Sequence, residues 1–204
     1  MSFPTRFARA LAPVAIVAVA GPAAAQSSDL ARVESHLAAV QSMTANFTQV
    51  DQRGRTSSGT LQMKRPGRIR FQYGSGDLLL VGNGSKLTMV DYQVGQKSSW
   101  NLNRTPLAML LAAKPDIDRI ARLEKSGDPR VVVVRARDGR RPEYGTLLLA
   151  FIRSPSAPGG LLLRGWTAID AQNKRTTVRL SNQRYNVAVP DTAFSFAEPK
   201  KRRA

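Results

Sequence analysis

The chain has 204 residues, no cysteine and one histidine, and 31 Lys and Arg against 14 Asp and Glu give a formal charge of +17. The absence of cysteine excludes disulfides, Cys-ligated zinc, thiol catalysis and the acylated cysteine that would anchor a bacterial lipoprotein. The basic residues are scattered rather than gathered in one stripe and only 6% of residues are aromatic, which argues against a nucleic-acid partner and allows at most weak attraction to anionic lipid headgroups.

Residues 1–25 read as a cleaved secretory signal. Arg6 and Arg9 form a basic leader, residues 11–21 a short apolar core, and Ala23, Ala24 and Ala25 the small residues before a cut at Gln26. The apolar run is too short for a membrane span, which needs about 20 residues. Residues 26–204 are expected to form a single soluble domain in the periplasm, with no repeat or long linker and with a basic tail at Lys200 to Arg203.

Asp29 is a reasonable helix N-cap, and Leu30, Val33, Leu37 and Val40 then recur at helical spacing. His36 sits at the edge of that apolar stripe, where a boundary role is expected. From Phe47 onward the period changes to two. Leu61 and Met63, then Ile69, Phe71 and Tyr73, alternate with polar residues, and Pro66-Gly67 and Asn83-Gly84 mark turns. Leu87, Met89 and Trp100 continue this antiparallel meander.

Thr105-Pro106 breaks the pattern: Thr105 is placed to cap a helix and Pro106 to open it. Leu107, Met109, Leu110 and Leu111 form a short apolar helix stopped by Pro115, and Ile117, Ile120 and Leu123 suggest a second. Strands resume at Val131–Ala136, Thr146–Ile152, Leu161–Ile169 and Thr176–Val187. The fold class is mainly β (α+β), a curved antiparallel sheet with an N-terminal helix and a helical insert buried against one face. Residues 78–81, 131–134 and 147–152 are apolar on both strand faces, which fits either a filled core or an apolar cavity.

Nothing here has the pattern of a catalytic centre. There is no GxSxG, HExxH, Walker loop or GxGxxG, and the carboxylates show no acid–base pairing. No enzyme activity, metal or cofactor is expected.

Lys64-Arg65-Pro66-Gly67-Arg68-Ile69-Arg70-Phe71 resembles the outer-membrane lipoprotein carrier family, LolA, in which a strand ends in Arg-Pro and the next carries an aromatic after an arginine. Ala45-Asn46-Phe47-Thr48-Gln49 resembles the family's first strand, Asn83-Gly84 with residues 87–92 its next hairpin, and Thr105-Pro106-Leu107-Ala108-Met109-Leu110-Leu111 the start of its helical lid. The resemblance runs from about Asp29 to Phe196. Ile69 departs from it, since many members have an aromatic there, and residues 135–141 have no clear counterpart.

The resemblance implies an open, incomplete β-barrel whose concave apolar face is covered by the N-terminal helix and the lid insert. It also implies a monomeric periplasmic chaperone that takes triacylated outer-membrane lipoproteins from an inner-membrane lipoprotein-releasing ABC transporter and carries them to the outer membrane, with or without a receptor there. The cavity wall would comprise Phe47, Leu61, Met63, Ile69, Phe71, Leu147, Leu149 and Trp166. The lid would comprise Val33, Leu37, Val40, Leu107, Leu110 and Leu111. Arg65 corresponds to the family's arginine that bonds lid carbonyls and latches the empty carrier. Its five donors in a rigid fork suit the unpaired carbonyls at a helix C-terminus. Two other classes stay open: a lipid- or lipoprotein-sensing module of the same half-barrel without transfer, and a periplasmic hydrolase with an unrecognised site.

Overall fold

The computed structural model describes residues 22–115 and 117–200. Most of the predicted signal segment and nearly all of the basic tail lie outside the described residues.

Helix α1 (Pro22–Ala39) leads into six strands joined by tight turns: β1 (Ser42–Val50), β2 (Thr56–Lys64), β3 (Arg68–Tyr73), β4 (Leu78–Asn83), β5 (Lys86–Asp91) and β6 (Gln96–Asn101). The insert carries α2 (Leu107–Leu111) and α3 (Ile117–Ile120). Then come β7 (Ala121–Glu124), β8 (Val131–Ala136), β9 (Thr146–Arg153), β10 (Leu161–Ile169) and β11 (Arg175–Tyr185). All eleven strands form one antiparallel sheet in the order β6-β5-β4-β3-β2-β1-β11-β10-β9-β8-β7.

That order has a geometric consequence. The two edge strands, β6 and β7, are consecutive in the chain and unpaired with each other, so the sheet stays open. The insert with α2 and α3 is the connection between those edges. Extra residues near Thr44/Asn46 and Leu163/Gly165 shift the register, and bulges of this kind bend and twist a strand. The concave side of the curved sheet carries the main core, which α1 and the insert cover.

Period-two alternation explains which residues face inward. Met43, Ala45 and Phe47 of β1 pair with Met63, Leu61 and Gly59 of β2, and Leu61 and Met63 pair in turn with Phe71 and Ile69 of β3. On the other half, Leu147, Leu149 and Phe151 stand opposite Ala136, Val134 and Val132. All of these core side chains are buried.

The strands that are apolar on both faces have two different explanations. On β4 the outward Leu79 and Val81 lie in a second, smaller core with Val90, Val189 and Phe194, built by the chain after β11 folding back over the convex face. On β8 and β9 the outward Val131, Val133, Leu148, Ala150 and Ile152 remain half-exposed.

Four local expectations are corrected. Asp29 lies inside α1 rather than at its cap, and its carboxylate takes two hydrogen bonds from Arg153, each 2.7 Å. Thr105 does not N-cap α2: it closes the 3-10 turn Leu102–Arg104, its hydroxyl donating back to the Leu102 carbonyl at 2.8 Å, and Pro106 stands at the N-cap of α2. Leu123 is not helical, because β7 begins at Ala121 and pairs with β8. His36 is no boundary residue; it is 1% exposed, since the turn at Pro158–Gly160 closes over it.

Candidate functional site

The predicted wall residues form one surface. Phe47, Leu61, Met63, Ile69, Phe71, Leu147, Leu149 and Trp166 are all buried members of the main core on the concave face. Their aromatic rings meet edge to face. Phe47 and Phe71 are 5.0 Å apart between centroids, and Phe71 and Trp166 are 6.1 Å apart. Tyr73 extends the row, its hydroxyl donating to Gln49 Oε1 at 2.9 Å, and burial pushes its pKa up to about 12. The predicted lid residues Val33, Leu37, Val40, Leu110 and Leu111 are buried in the same core, while Leu107 packs against it half-buried.

Above this apolar surface sits one buried cation. Arg65 opens the turn that follows β2 and is 7% exposed. Its Nη1 donates to the carbonyls of Leu37 and Val40 at the end of α1, the latter at 3.0 Å, and its Nε donates to the Leu110 carbonyl of α2 at 3.2 Å. One guanidinium therefore ties both covering helices to the sheet. Burial pushes its pKa down to about 10, which still leaves it charged near neutral pH.

The last turn of α1 has the usual problem of unpaired carbonyls, and here each one is answered. The His36 carbonyl accepts from Val40 N at 3.0 Å, and Leu37 and Val40 are served by Arg65. Ala38 accepts from the Gln41 side chain at 2.8 Å. Ala39 accepts from Asn186 Nδ2 at 2.9 Å, and Asn186 Oδ1 takes the Gln41 N–H at 2.8 Å. Asn186 can do this from φ +53°, a left-handed conformation that asparagine tolerates well.

Sequence reasoning missed Asn186, and it missed a second tie to the lid. Gly67 N–H donates to the Leu111 carbonyl at 3.0 Å, beside the Arg65 to Leu110 bond. Gly67 has φ +69°, and a Cβ there would stand 2.6 Å from the Gly84 carbonyl oxygen. Only glycine fits that backbone crossing. The turn was legible locally, but its partner lies in the helical insert, and no local pattern reports that.

Helix α1 has further anchors. His36 Nδ1 lies 2.8 Å from the Pro158 carbonyl, and its ring meets Phe151 and Tyr185 edge-on at 5.2 and 5.4 Å. Burial holds the imidazole below its ordinary pKa; hydrogen bonds to the Pro158 and Leu161 backbone oppose this, and the Arg65 charge adds to it. A Cβ at Gly159, whose φ is +63°, would stand 2.5 Å from the His36 backbone nitrogen.

Among the described residues no cluster of three or more His, Cys, Asp or Glu could hold a metal, and no helix is long and apolar enough to cross a membrane. The chemistry on offer is that of an apolar concave surface under a hydrogen-bonded cover.

The family model described as outer membrane lipoprotein carrier protein LolA matches residues 38–197. An outer-membrane lipoprotein carrier protein of Chromobacterium violaceum is 27% identical, with 91% of each chain covered. The protein of that name from Pseudomonas fluorescens is 26% identical, with 96% of each covered. Among solved structures, a LolA superfamily protein from Nitrosomonas europaea aligns over 84% of this chain and 97% of its own, with TM-score 0.44 and 14% identity. The MucA/MucB complex of Pseudomonas aeruginosa aligns over 84% of this chain and 61% of its own, with TM-score 0.47 and 13% identity.

Proposed function

The chain belongs to the LolA family of outer membrane lipoprotein carrier proteins, and from that premise we propose that it is a periplasmic chaperone for lipid-modified proteins. It takes the acyl chains of a triacylated outer-membrane lipoprotein onto its concave face and carries them from an inner-membrane ABC transporter to the outer membrane. Residues 1–25 are the export signal, and residues 26–204 are the working domain.

The observation that carries this reading is Arg65. A charged side chain is buried over an otherwise apolar interior, and it holds both covering helices through backbone carbonyls of Leu37, Val40 and Leu110. Such bonds are charge-assisted and directional, so they hold the cover at defined carbonyls and can break and re-form.

Magnitudes favour a latch. Each buried methylene is worth about 0.8 kcal/mol, so one mostly buried acyl chain gains roughly 8–10 kcal/mol. Hydrogen bonds to a charged group contribute roughly 1.5–3 kcal/mol each and neutral ones roughly 0.5–1.5 kcal/mol, so the two bonds to α2, from Arg65 Nε and from Gly67 N–H, together offset a part of one chain's gain. Cargo then binds tightly enough to leave a membrane and weakly enough to be given up at the next.

The moving part is the insert. Helix α1 is tied along its length, whereas α2 is tied to the sheet by Arg65 Nε, by Gly67 N–H and by its own apolar contacts. Because the insert joins the two unpaired edges of the sheet, its displacement opens the concave face without breaking a strand pairing.

The test is release. Spheroplasts carrying a labelled outer-membrane lipoprotein are incubated with the purified protein, and the soluble fraction is sized by gel filtration. A one-to-one soluble complex is expected; label that stays with the membrane at every protein concentration contradicts the proposal.

A further inference from the structure

The concave face does not end where the cover ends. Following the register outward from the core, Phe71 pairs with Leu80 and Leu80 with Met89, while Ile69 pairs with Gly82, Gly82 with Leu87 and Leu87 with Trp100. Residues opposite one another in a ladder share a face, so Met89 and Trp100 continue the same surface as Phe71 and Ile69. Leu80 and Leu78 pack half-buried against the core, whereas Met89 is 37% exposed and Trp100 is 39% exposed.

This is unusual for β6. Every residue of that edge strand is exposed, and its composition (Gln-Lys-Ser-Ser-Trp-Asn) is otherwise polar. An indole there adds nothing to the core. On the opposite face of the same pair the contact is polar, with Thr88 and Ser99 hydroxyls 2.9 Å apart. Within the paired strands β5 and β6 the uncovered large apolar side chains, Met89 and Trp100, both lie on the side that leads inward, while the exposed Val94 stands in the turn between the strands.

We propose that Leu78, Leu80, Met89 and Trp100 form a docking strip on which an acyl chain of the cargo lies before it passes under the lid. The inference rests on the carrier reading and deepens it by assigning the route of loading. The occupant follows from continuity: the strip is the uncovered end of the surface that takes acyl chains, and the same chain can slide from it onto Phe71 without crossing a polar row. Met89 suits a surface that meets chains in many conformations, because its unbranched thioether adapts.

The test uses the protein's two tryptophans. In Trp166→Phe the remaining emission is that of Trp100. This variant is titrated with a synthetic tripalmitoylated peptide brominated on its acyl chains, and gel filtration of the same samples reports binding. Bound peptide is expected to quench Trp100. In the otherwise unaltered chain, Trp100→Glu is expected to slow capture of the unbrominated peptide by about tenfold with no change in thermal midpoint, while Trp100→Phe keeps the normal rate. Co-elution without quenching, or full-rate capture by Trp100→Glu, overturns the docking strip and leaves the carrier reading standing. No co-elution with any form overturns both. Altered self-association in Trp100→Glu with unchanged capture would mark the strip as a contact between copies and likewise overturn it.

Discussion

At the scale of single residues the protein places a guanidinium against carbonyl dipoles, and the consequences divide between Arg65 and His36. Replacing Arg65 with leucine removes the fork but keeps an apolar stem, so the cover loses its polar tie at little packing cost. Arg65→Leu is therefore expected to bind acylated cargo more tightly and to retain it when acceptor membranes are added; release at the normal rate would contradict the latch. His36 gives a pH dependence with a definite sign. Its folded pKa lies below 6.5, so on acidification the unfolded chain takes up the proton first. The stability it confers is full above about pH 6.5 and is lost as the pH falls toward the folded value. Urea denaturation between about pH 7.5 and 5 is expected to lose part of its slope in His36→Gln; identical slopes would show that the imidazole does not titrate with unfolding. Arg65 was legible in the sequence through Arg-Pro and its neighbours. The burial of His36 was not, because it depends on Pro158 and Gly159, more than a hundred residues away.

At the scale of elements the two covering helices differ in how firmly they are held. Helix α1 is tied by Asp29 to Arg153, by His36 to Pro158, by Asn186 and by Arg65. Helix α2 has five residues and hangs from two side-by-side bonds and its leucines. Its amides are expected to exchange hydrogen orders of magnitude faster than those of β1 and β11. Arg65→Leu should speed exchange across residues 107–111 while leaving the sheet as it was; uniform acceleration would mean the residue is structural throughout. Gly159→Ala tests the other helix. A left-handed alanine costs about 1–3 kcal/mol on its own, and its Cβ would also press on the α1 backbone. A lowered denaturation midpoint is expected, and no change would show that α1 is free to shift away. The helical stripe of Val33, Leu37 and Val40 was readable because spacing alone fixes a face. The helix ends were not: Asp29 and Thr105 have good capping chemistry, yet one serves Arg153 and the other bonds backward to Leu102. A tertiary partner outbids the local rule at Asp29, and a competing local bond does so at Thr105.

At the scale of the whole molecule, the meander and the break for the insert could be read from alternation and turn residues, and the turn signalled by Asn83-Gly84 does fall between β4 and β5, with Gly84 and Ser85 as the connecting residues. What the sequence left ambiguous was why some strands are apolar on both faces. The answer differs between the halves, since the C-terminal segment covers β4 from outside while β8 and β9 keep a half-exposed outer row. That distinction depends on where a distant segment folds back, which alternation cannot report. On the proposed function, the open order of the sheet with the insert spanning its two edges would make uptake and delivery a single mechanical event: the cover would lift and a chain enter or leave while the pairing of β1 with β11 stayed intact. A lipid-sensing module of the same shape would bind and stop there. The measurement that separates the two is transfer: a purified complex of the protein with a labelled lipoprotein is mixed with outer-membrane vesicles, and the label is followed into the pelleted membrane. A carrier is expected to deliver most of the label and to be recovered empty in the supernatant, whereas label that remains with the soluble protein would contradict the account.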